Sequence, residues 1–395
     1  MTASLLGTGV QFPNNVTQVA PYLSNGNNLL ANGDMRVSRA WADNFLTNTN
    51  VQYSSILEGY LSSFVGVTNS GLVRGGMSTT DIPAGTEYVR SFQISSGATG
   101  CVPTTTTGYG VFGTRIGPDD MRDLNWGTAS AKNITLSFWV KSTLTGTYNV
   151  CIFSGQVFLN TNAGFTYPAT YTINTANTWE FKTITIPGPT SGGQWTTGNQ
   201  FYTGMQIVFP MTSGATFNSG TANTWNSVKV WNTSGCVLPM QTANTVMNFC
   251  GMSVEIGSNQ VTPYSLASQP NYADKVNIVN RYSMVYGGNN ASTNPTFARS
   301  TGKWQALGAN QTTIIFDPTG GWAGAPTGSN YNTTNITLYH PAGSFAANTG
   351  GWNNFFTPNF VGLYSTSFTI ASGTGGNIGM LANSGAFFHV WYSLA

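Results

Sequence analysis

The stretch that decides the fold is residues 126–153, WGTASAKNITLSFWVKSTLTGTYNVCIF. Ile134, Leu136, Phe138 and Val140 alternate with Thr135, Ser137, Trp139 and Lys141. A period of two lays one apolar row along one face of a β-strand. Gly146 marks a short loop and Tyr148 to Phe153 alternates again, so the pair reads as an antiparallel hairpin with one face in a core. Neither strand buries that face alone, which calls for a second sheet to cover it.

Outward from this pair, residues 29–262 run as short apolar strands between turn clusters: Glu87–Ile94, Tyr171–Ile173, Trp179–Ile186, Phe201–Phe209, Val228–Trp231 and Val246–Ile256. Ile184 and Ile186 share the parity of Glu180 and Lys182, so the buried face is expected to shift within that strand. Many strands at this spacing without helices between them indicate a β-sandwich or jelly roll. One short helix is expected after Gln269-Pro-Asn, where Tyr272, Val276, Val279 and Tyr282 recur at helical spacing and Asp274 sits in the first turn. Beyond it, Trp304–Phe316, Asn335–Tyr339, Gly362–Ile370 and Ala386–Tyr392 are the expected strands, the last central and buried. The fold class is therefore all-β: an N-terminal extended arm (1–28), a jelly-roll domain (29–268), a short helical junction (269–282) and a smaller C-terminal β-sandwich domain (283–395). No repeat of fixed period is present.

Only 7% of the 395 residues are charged while 13% are aromatic, and the net charge is +2. An ordinary soluble protein carries roughly a quarter charged residues. The absence of any Lys/Arg cluster argues against nucleic acid and anionic membrane surfaces as partners. A charge-poor surface suits permanent protein contacts, because little desolvation accompanies its burial. Residues 1–7 have no basic start or apolar core, so no signal peptide is read, and no apolar run is long enough to span a bilayer. Cys101, Cys151, Cys236 and Cys250 match no zinc spacing and read as reduced packing residues, with a disulfide as the alternative.

Residues 1–28 contain no charge and are broken by Gly7, Gly9, Pro13, Asn14, Asn15, Pro21 and Gly26. Val10, Phe12, Val16 and Val19 are apolar enough to need cover. An attachment peptide carried by Val10, Phe12, Val16 and Gln18 is the functional reading, a frayed terminus the alternative.

Candidate chemistry is sparse. Glycan hydrolysis needs two carboxylates about 5–10 Å apart; the acidic residues number 12 and are mostly isolated, and Asp119-Asp120-Met-Arg-Asp123 is their one cluster. It matches no calcium loop and reads as a solvated loop. His340 and His389 are lone histidines and make neither a zinc site nor a triad. Gly373–Gly379 fits G-x-G-x-x-G loosely but precedes no helix, and reads as a loop. No catalytic residue, metal or cofactor is expected. Sugar binding is the serious candidate, since sugars stack on flat aromatic faces while amides and hydroxyls bond their hydroxyl groups. Trp322 and Trp352 lie in Gly-rich polar stretches, Tyr331 stands among Asn and Thr, and Asn353 and Asn354 follow Trp352. For any one of these rings, packing beneath its loop or in a subunit interface weighs heavier. Trp126, Trp139 and Trp179 read as framework.

Five segments in order are familiar. Asn28-Leu-Leu-Ala-Asn-Gly-Asp-Met-Arg-Val-Ser-Arg39, Asp123–Lys141 (DLNWGTASAKNITLSFWVK), Thr178–Pro187 (TWEFKTITIP), Gly251–Tyr264 (GMSVEIGSNQVTPY) and Asn271–Tyr282 (NYADKVNIVNRY) resemble the corresponding segments of bacteriophage tail-fibre and virion-appendage proteins with a carbohydrate-binding-module-like jelly roll. Gly9–Gln18 is distantly similar to the attachment peptide of such fibres, departing from it at Asn14, Asn15 and Val16. The last hundred or so residues match none of these segments. The resemblance implies a non-enzymatic virion structural protein, homotrimeric, assembled in the host cytoplasm and held on the particle surface by other virion proteins, with host-surface carbohydrate as a further partner. A capsid decoration or head-fibre protein is the alternative, and a polysaccharide-depolymerising tailspike the second.

Overall fold

A computed structural model describes residues 28–37, 59–60, 62–68, 78–118, 120–154, 165–193, 195 and 204–258 together with Leu57, and elsewhere the backbone of strands alone. In chain order the strands are β1 (Ser4–Leu6), β2 (Gly9–Gln11), β3 (Thr17–Gln18), β4 (Phe45–Thr47), β5 (Ser54–Leu57), β6 (Tyr60–Val65), β7 (Val73–Ser78), β8 (Ser91–Ser95), β9 (Tyr109–Ile116), β10 (Ile134–Ser142), β11 (Gly146–Ser154), β12 (Phe165–Ile173), β13 (Glu180–Ile186), β14 (Met205–Ser213) and β15 (Val246–Ile256). They continue as β16 (Ser283–Gly287), β17 (Arg299–Gly308), β18 (Gln311–Phe316), β19 (Gly328–Asn332), β20 (Ile336–His340), β21 (Gly343–Ala346), β22 (Trp352–Phe356), β23 (Val361–Ser365), β24 (Gly375–Met380) and β25 (Phe387–Trp391).

Twelve of these strands form a sandwich of two antiparallel six-stranded sheets. The first has the order β13-β10-β15-β8-β7-β4, the second β12-β11-β14-β9-β6-β5. Strands of equal rank in the two sheets are consecutive in the chain, so the ribbon is wound through both layers as in a jelly roll. This overturns the hairpin expected from the deciding stretch. β10 pairs with β13 and β15 in the first sheet, whereas β11 pairs with β12 and β14 in the second. The link between β10 and β11 turns a corner: Tyr148 Oη donates to Leu144 O at 2.7 Å, and Leu144 N donates to Ser142 Oγ at 3.1 Å. Ile134, Leu136, Phe138 and Val140 thus join Tyr148, Val150 and Ile152 in one core. A hairpin would have set the two rows side by side in one layer and left both to be covered by something else.

At the centre, Phe92 stacks on Phe112 at 4.5 Å, and Phe209 lies 4.7 Å from Phe249 and 5.2 Å from Phe138. All five rings are buried. Pro210 sits within the interior strand β14 because the register with β9 shifts between Pro210 and Thr212, a bulge that accommodates its missing N–H. The sandwich edge at β12 and β13 carries Trp126, Trp195, Trp225 and Phe165. Trp225 stacks on Phe165 at 5.1 Å, and the three indole N–H groups donate to Lys132 O, Gly192 O and Pro187 O. The expected face shift in β13 does not occur. Glu180, Lys182, Ile184 and Ile186 stand opposite Val140, Phe138, Leu136 and Ile134 in unbroken register. The two charges pair at 2.6 Å on this edge strand, where inward-pointing charge discourages pairing with another chain. Burial would raise the Glu180 carboxyl, but hydrogen bonds from Lys182, Thr175 and Asn174 outweigh it and hold it below the ordinary carboxylate range.

The segment Asn28–Val37 docks along β15 beyond the end of β8. Leu29 N donates to Val254 O at 2.8 Å, and Asn28 Oδ1 accepts from Val254 N at 2.9 Å. Asn32 bonds Val37 through both its amide atoms. A Cβ on Gly33 would lie 2.1 Å from Met252 O, which explains a glycine there. This first familiar segment is framework.

Other expectations are adjusted in detail. Glu87–Arg90 precedes the strand Ser91–Ser95, β14 begins at Met205, and Val228–Trp231 covers the second sheet without joining a ladder. In that cover, Trp231 N bonds Phe217 O, and Val230 N bonds Val228 O, outside any strand. The thiols of Cys101, Cys151 and Cys250 are buried, and all four cysteines are free. Gly375–Met380 is strand β24 between β20 and β17, not a loop. The arm residues Ser4–Gln18 include an antiparallel sheet β1-β2-β3 rather than extended chain alone. The C-terminal strands form a three-stranded sheet β16-β25-β19 and a seven-stranded sheet β21-β20-β24-β17-β18-β23-β22, with β25 central in the smaller one as expected. The expected junction helix lies outside the described residues.

Candidate functional site

The face of the first sheet turned away from the core is built from alternate residues of four strands. In register across it stand Thr185, Thr135 and Glu255, then Thr183, Ser137 and Ser253, then Phe181, Trp139 and Cys250, and finally Lys141 with Asn248 and Gln93. The β10–β15 register shifts between Ser137 and Trp139, opposite Gly251 at φ +55°. A Cβ on Gly251 would lie 2.3 Å from the Tyr88 ring, so this bulge makes room for Tyr88. Tyr88 and Cys250 pack with the half-buried Trp139 and Trp179. Trp139 and Phe181 lie 5.4 Å apart at 50°, and the Lys141 ammonium lies 5.5 Å from the Trp179 ring centroid.

Asp81 ties this strip together from the loop between β7 and β8. Its carboxylate accepts from Lys141 on both oxygens, from Trp179 Nε1 at 3.1 Å and from Asn248 Nδ2 at 3.1 Å. Its backbone is pinned as well: Asp81 N donates to Ser78 Oγ at 2.9 Å, and Ser91 Oγ donates to Asp81 O at 2.6 Å. The Asp81 side chain is nevertheless 40% exposed, and that of Lys141 19%. Among the described residues, Trp139 Nε1 and Ser137 Oγ are buried without a hydrogen-bond partner. Burial, then the nearby Cys250 and Asp34, push the Tyr88 hydroxyl far above its usual range. Burial and the Asp34 charge do the same to the Cys250 thiol. Burial raises the Glu255 carboxyl, and a hydrogen bond from Ser253 partly offsets it. Chemically, this is a fixed strip of half-buried rings with the partly exposed Asp81 carboxylate beside Trp179. Such a surface can stack apolar C–H faces and bond hydroxyl groups.

The residues singled out for sugar binding lie elsewhere. Tyr331 is in β19, opposite Phe388 of the three-stranded sheet. Trp352, Asn353 and Asn354 open β22, opposite Ser365, Tyr364 and Leu363 in the seven-stranded sheet. Trp352 is thus on a strand and not in a loop, and it shares no sheet with Tyr331. Trp322 lies outside the described residues. Of the attachment residues, Val10 and Gln18 are paired across β2 and β3, while Phe12 and Val16 lie outside the described residues. Asp120 is exposed, Arg122–Leu124 forms a single 3-10 turn, and Asp119 lies outside the described residues. Trp139 and Trp179, framework by their sequence, do pack on the Tyr88–Cys250 cluster, and their half-buried rings also form the strip, for which the sequence did not point to Asp81, Lys141, Phe181 or Asn248. One signal is present in the chain: Trp139 occupies the polar side of an otherwise cleanly alternating strand.

No family model matches the sequence, and no curated protein is similar to it. Solved chains similar to it include a phage tailspike domain and several carbohydrate-binding modules. The enzymatically active domain of tailspike protein 4 of bacteriophage CBA120 is 16% identical over 62% of this chain with a TM-score of 0.29, and the match spans 23% of that protein's length. The family 11 carbohydrate-binding module of the Clostridium thermocellum cellulase Lic26A-Cel5E is 13% identical, covering 55% of this chain and 95% of the module, TM-score 0.24. The CBM22-1 xylan-binding domain of Paenibacillus barcinonensis Xyn10C is 9% identical, covering 56% and 99%, TM-score 0.23. Likeness at this level carries no residue and no ligand over to this chain.

Proposed function

We propose that the protein is a non-enzymatic virion component of the tail-fibre or appendage type, whose sandwich binds host-surface glycan through the outer face of the first sheet. The observation that carries this reading is the strip of Trp139, Phe181 and Trp179 held in place by Asp81, Lys141 and Asn248. Rigid, half-buried rings with hydrogen-bonding groups beside them present a sugar with a surface already organised for it. The five sequence segments quoted above support the phage assignment, a homotrimer and a place on the particle surface, and the distant likeness of Gly9–Gln18 to an attachment peptide supports docking through residues 1–28. The absence of catalysis is supported by the way carboxylates are used: Asp34 pairs with Arg36, Asp81 with Lys141 and Glu180 with Lys182. A second reading, capsid decoration, is favoured by one observation: no Asp, Glu, Lys or Arg follows Asp317, which suits a C-terminal region buried in permanent contacts.

A glycan array probed with the full chain tests the binding reading. Binding is expected in the wild type and lost in Trp179→Ala; a chain that binds no glycan contradicts it. Antibody to residues 283–395 on purified particles tests the placement. Label at the tail is expected, and label spread over the head gives the decoration reading. Release of reducing ends from polysaccharide would overturn the non-enzymatic assignment.

A further inference from the structure

Building on the glycan reading of this face, we infer that the strip selects uncharged sugars and that Asp81 sets the selectivity. The ammonium of Lys141 stands 5.5 Å from the Trp179 ring centroid, beside the surface on which a pyranose would stack. Left free, it would attract the carboxylate of a uronic or sialic acid through a charge-assisted hydrogen bond. Asp81 occupies it instead, accepting from Nζ on both carboxylate oxygens. Lys182, on the opposite, core-side row of β13, is paired with Glu180 at 2.6 Å. The Lys141 charge at the aromatic strip is therefore cancelled by Asp81.

An acidic sugar approaching Trp179 meets the partly exposed Asp81 carboxylate, a like charge. A neutral sugar meets the acceptor oxygens of Asp81 for its hydroxyl protons. The pair does not open readily to admit an anion, because Asp81 is held by Trp179 Nε1 and Asn248 Nδ2 and its backbone by Ser78 and Ser91. Its loop would have to move as a unit. Asp81 is therefore a specificity-determining residue that also positions the Trp179 ring.

The test is an array of matched neutral and uronic- or sialic-acid-bearing oligosaccharides, probed with the wild type, Asp81→Asn, Asp81→Glu and Trp179→Ala. Asparagine keeps an acceptor oxygen for the Trp179 N–H but leaves Lys141 without its counter-charge. The wild type is expected to bind neutral members only, with little change between low and high salt. Asp81→Asn is expected to gain acidic members by about tenfold or more, the gain fading as salt screens it. Asp81→Glu should keep the neutral preference. Near-UV circular dichroism of each variant separates misfolding from lost contact. A wild type that prefers acidic glycans, or a folded Asp81→Asn whose preference is unchanged, overturns the inference while leaving glycan binding intact. A wild type that binds neither class overturns the glycan reading itself, and this inference with it.

Discussion

The outer faces of the two sheets use similar side chains to opposite ends. On the first sheet, Lys141 stands over Trp179, and both remain partly open. On the second, Lys229 stands 5.1 Å from the centroid of Trp231, which is 0% exposed. Trp231 stacks on Phe217 at 4.2 Å, and both pack with Tyr109, Val111, Cys151 and Val208 under the segment that follows β14. Thr166 Oγ1 bonds Val228 O at 3.0 Å, and the Cys151 thiol bonds Val230 O at 3.5 Å, fastening the cover to the sheet. On the first sheet Trp139, Phe181 and Trp179 are half-buried, and among the described residues the Asp81 loop hydrogen-bonds the Trp179 ring. A cation beside a tryptophan is therefore no signature in itself; the chain laid over it decides whether the ring is core or surface.

That contrast can be broken at its two tryptophans. Trp231→Ala removes a fully buried ring and is expected to destabilise the fold by about 3–5 kcal/mol, read by thermal or urea denaturation, with glycan binding retained in the folded fraction. Phe138→Ala, in the shared core, should cost a similar amount, about 3–5 kcal/mol. Trp139→Ala is expected to do the reverse, weakening glycan affinity by about tenfold, or ~1.4 kcal/mol, while the folded state persists. Equal losses of stability at Trp139 and Trp231 would erase the distinction between the faces.

Alkaline pH sharpens it further. Burial raises the thiol of Cys101 to about 12 and pushes those of Cys151 and Cys250 higher still. An unfolded thiol ionises near pH ~8.5. The stability these thiols contribute is complete below that pH and is lost as pH rises above it, because the unfolded chain then holds fewer protons. Lys229 acts the other way. Burial lowers its pKa to about 8, against ~10.4 unfolded, so between those values the unfolded chain holds more protons and stability rises with pH. Three thiols outweigh one ammonium, and the melting temperature should fall above about pH 9. Replacing Lys229 by Met should steepen that fall. At the sandwich edge, Glu180→Ala takes the acceptor from Lys182, Asn174 N and Thr175 N and should cost about 1–3 kcal/mol, with increased self-association by light scattering.

Much of this architecture is legible in the sequence. The row Ile134, Leu136, Phe138 and Val140 announces a strand with one buried face, because alternation reports which side is covered. It does not report which sheet the next strand joins, and so the corner at Leu144 has the local pattern of a hairpin. Glu180 and Lys182 mislead for a related reason: on an edge strand, charge can stand on the core side with its partner beside it. Gly375–Met380 has the composition of a loop, although it lies between two strands that supply its ladder. The strip is half visible, since the parity of Trp139 is written in the chain. Asp81 is not, because its partners lie 60, 98 and 167 residues away and no local pattern joins them.

The most direct test is hydrogen–deuterium exchange of the full chain with and without a neutral oligosaccharide that binds on the array. Protection is expected in residues 79–90, 135–142, 179–183 and 246–250, with residues 214–233 unchanged. Protection confined to residues 320–356, around Trp322, Tyr331 and Trp352, would contradict the assignment of the site to the first sheet.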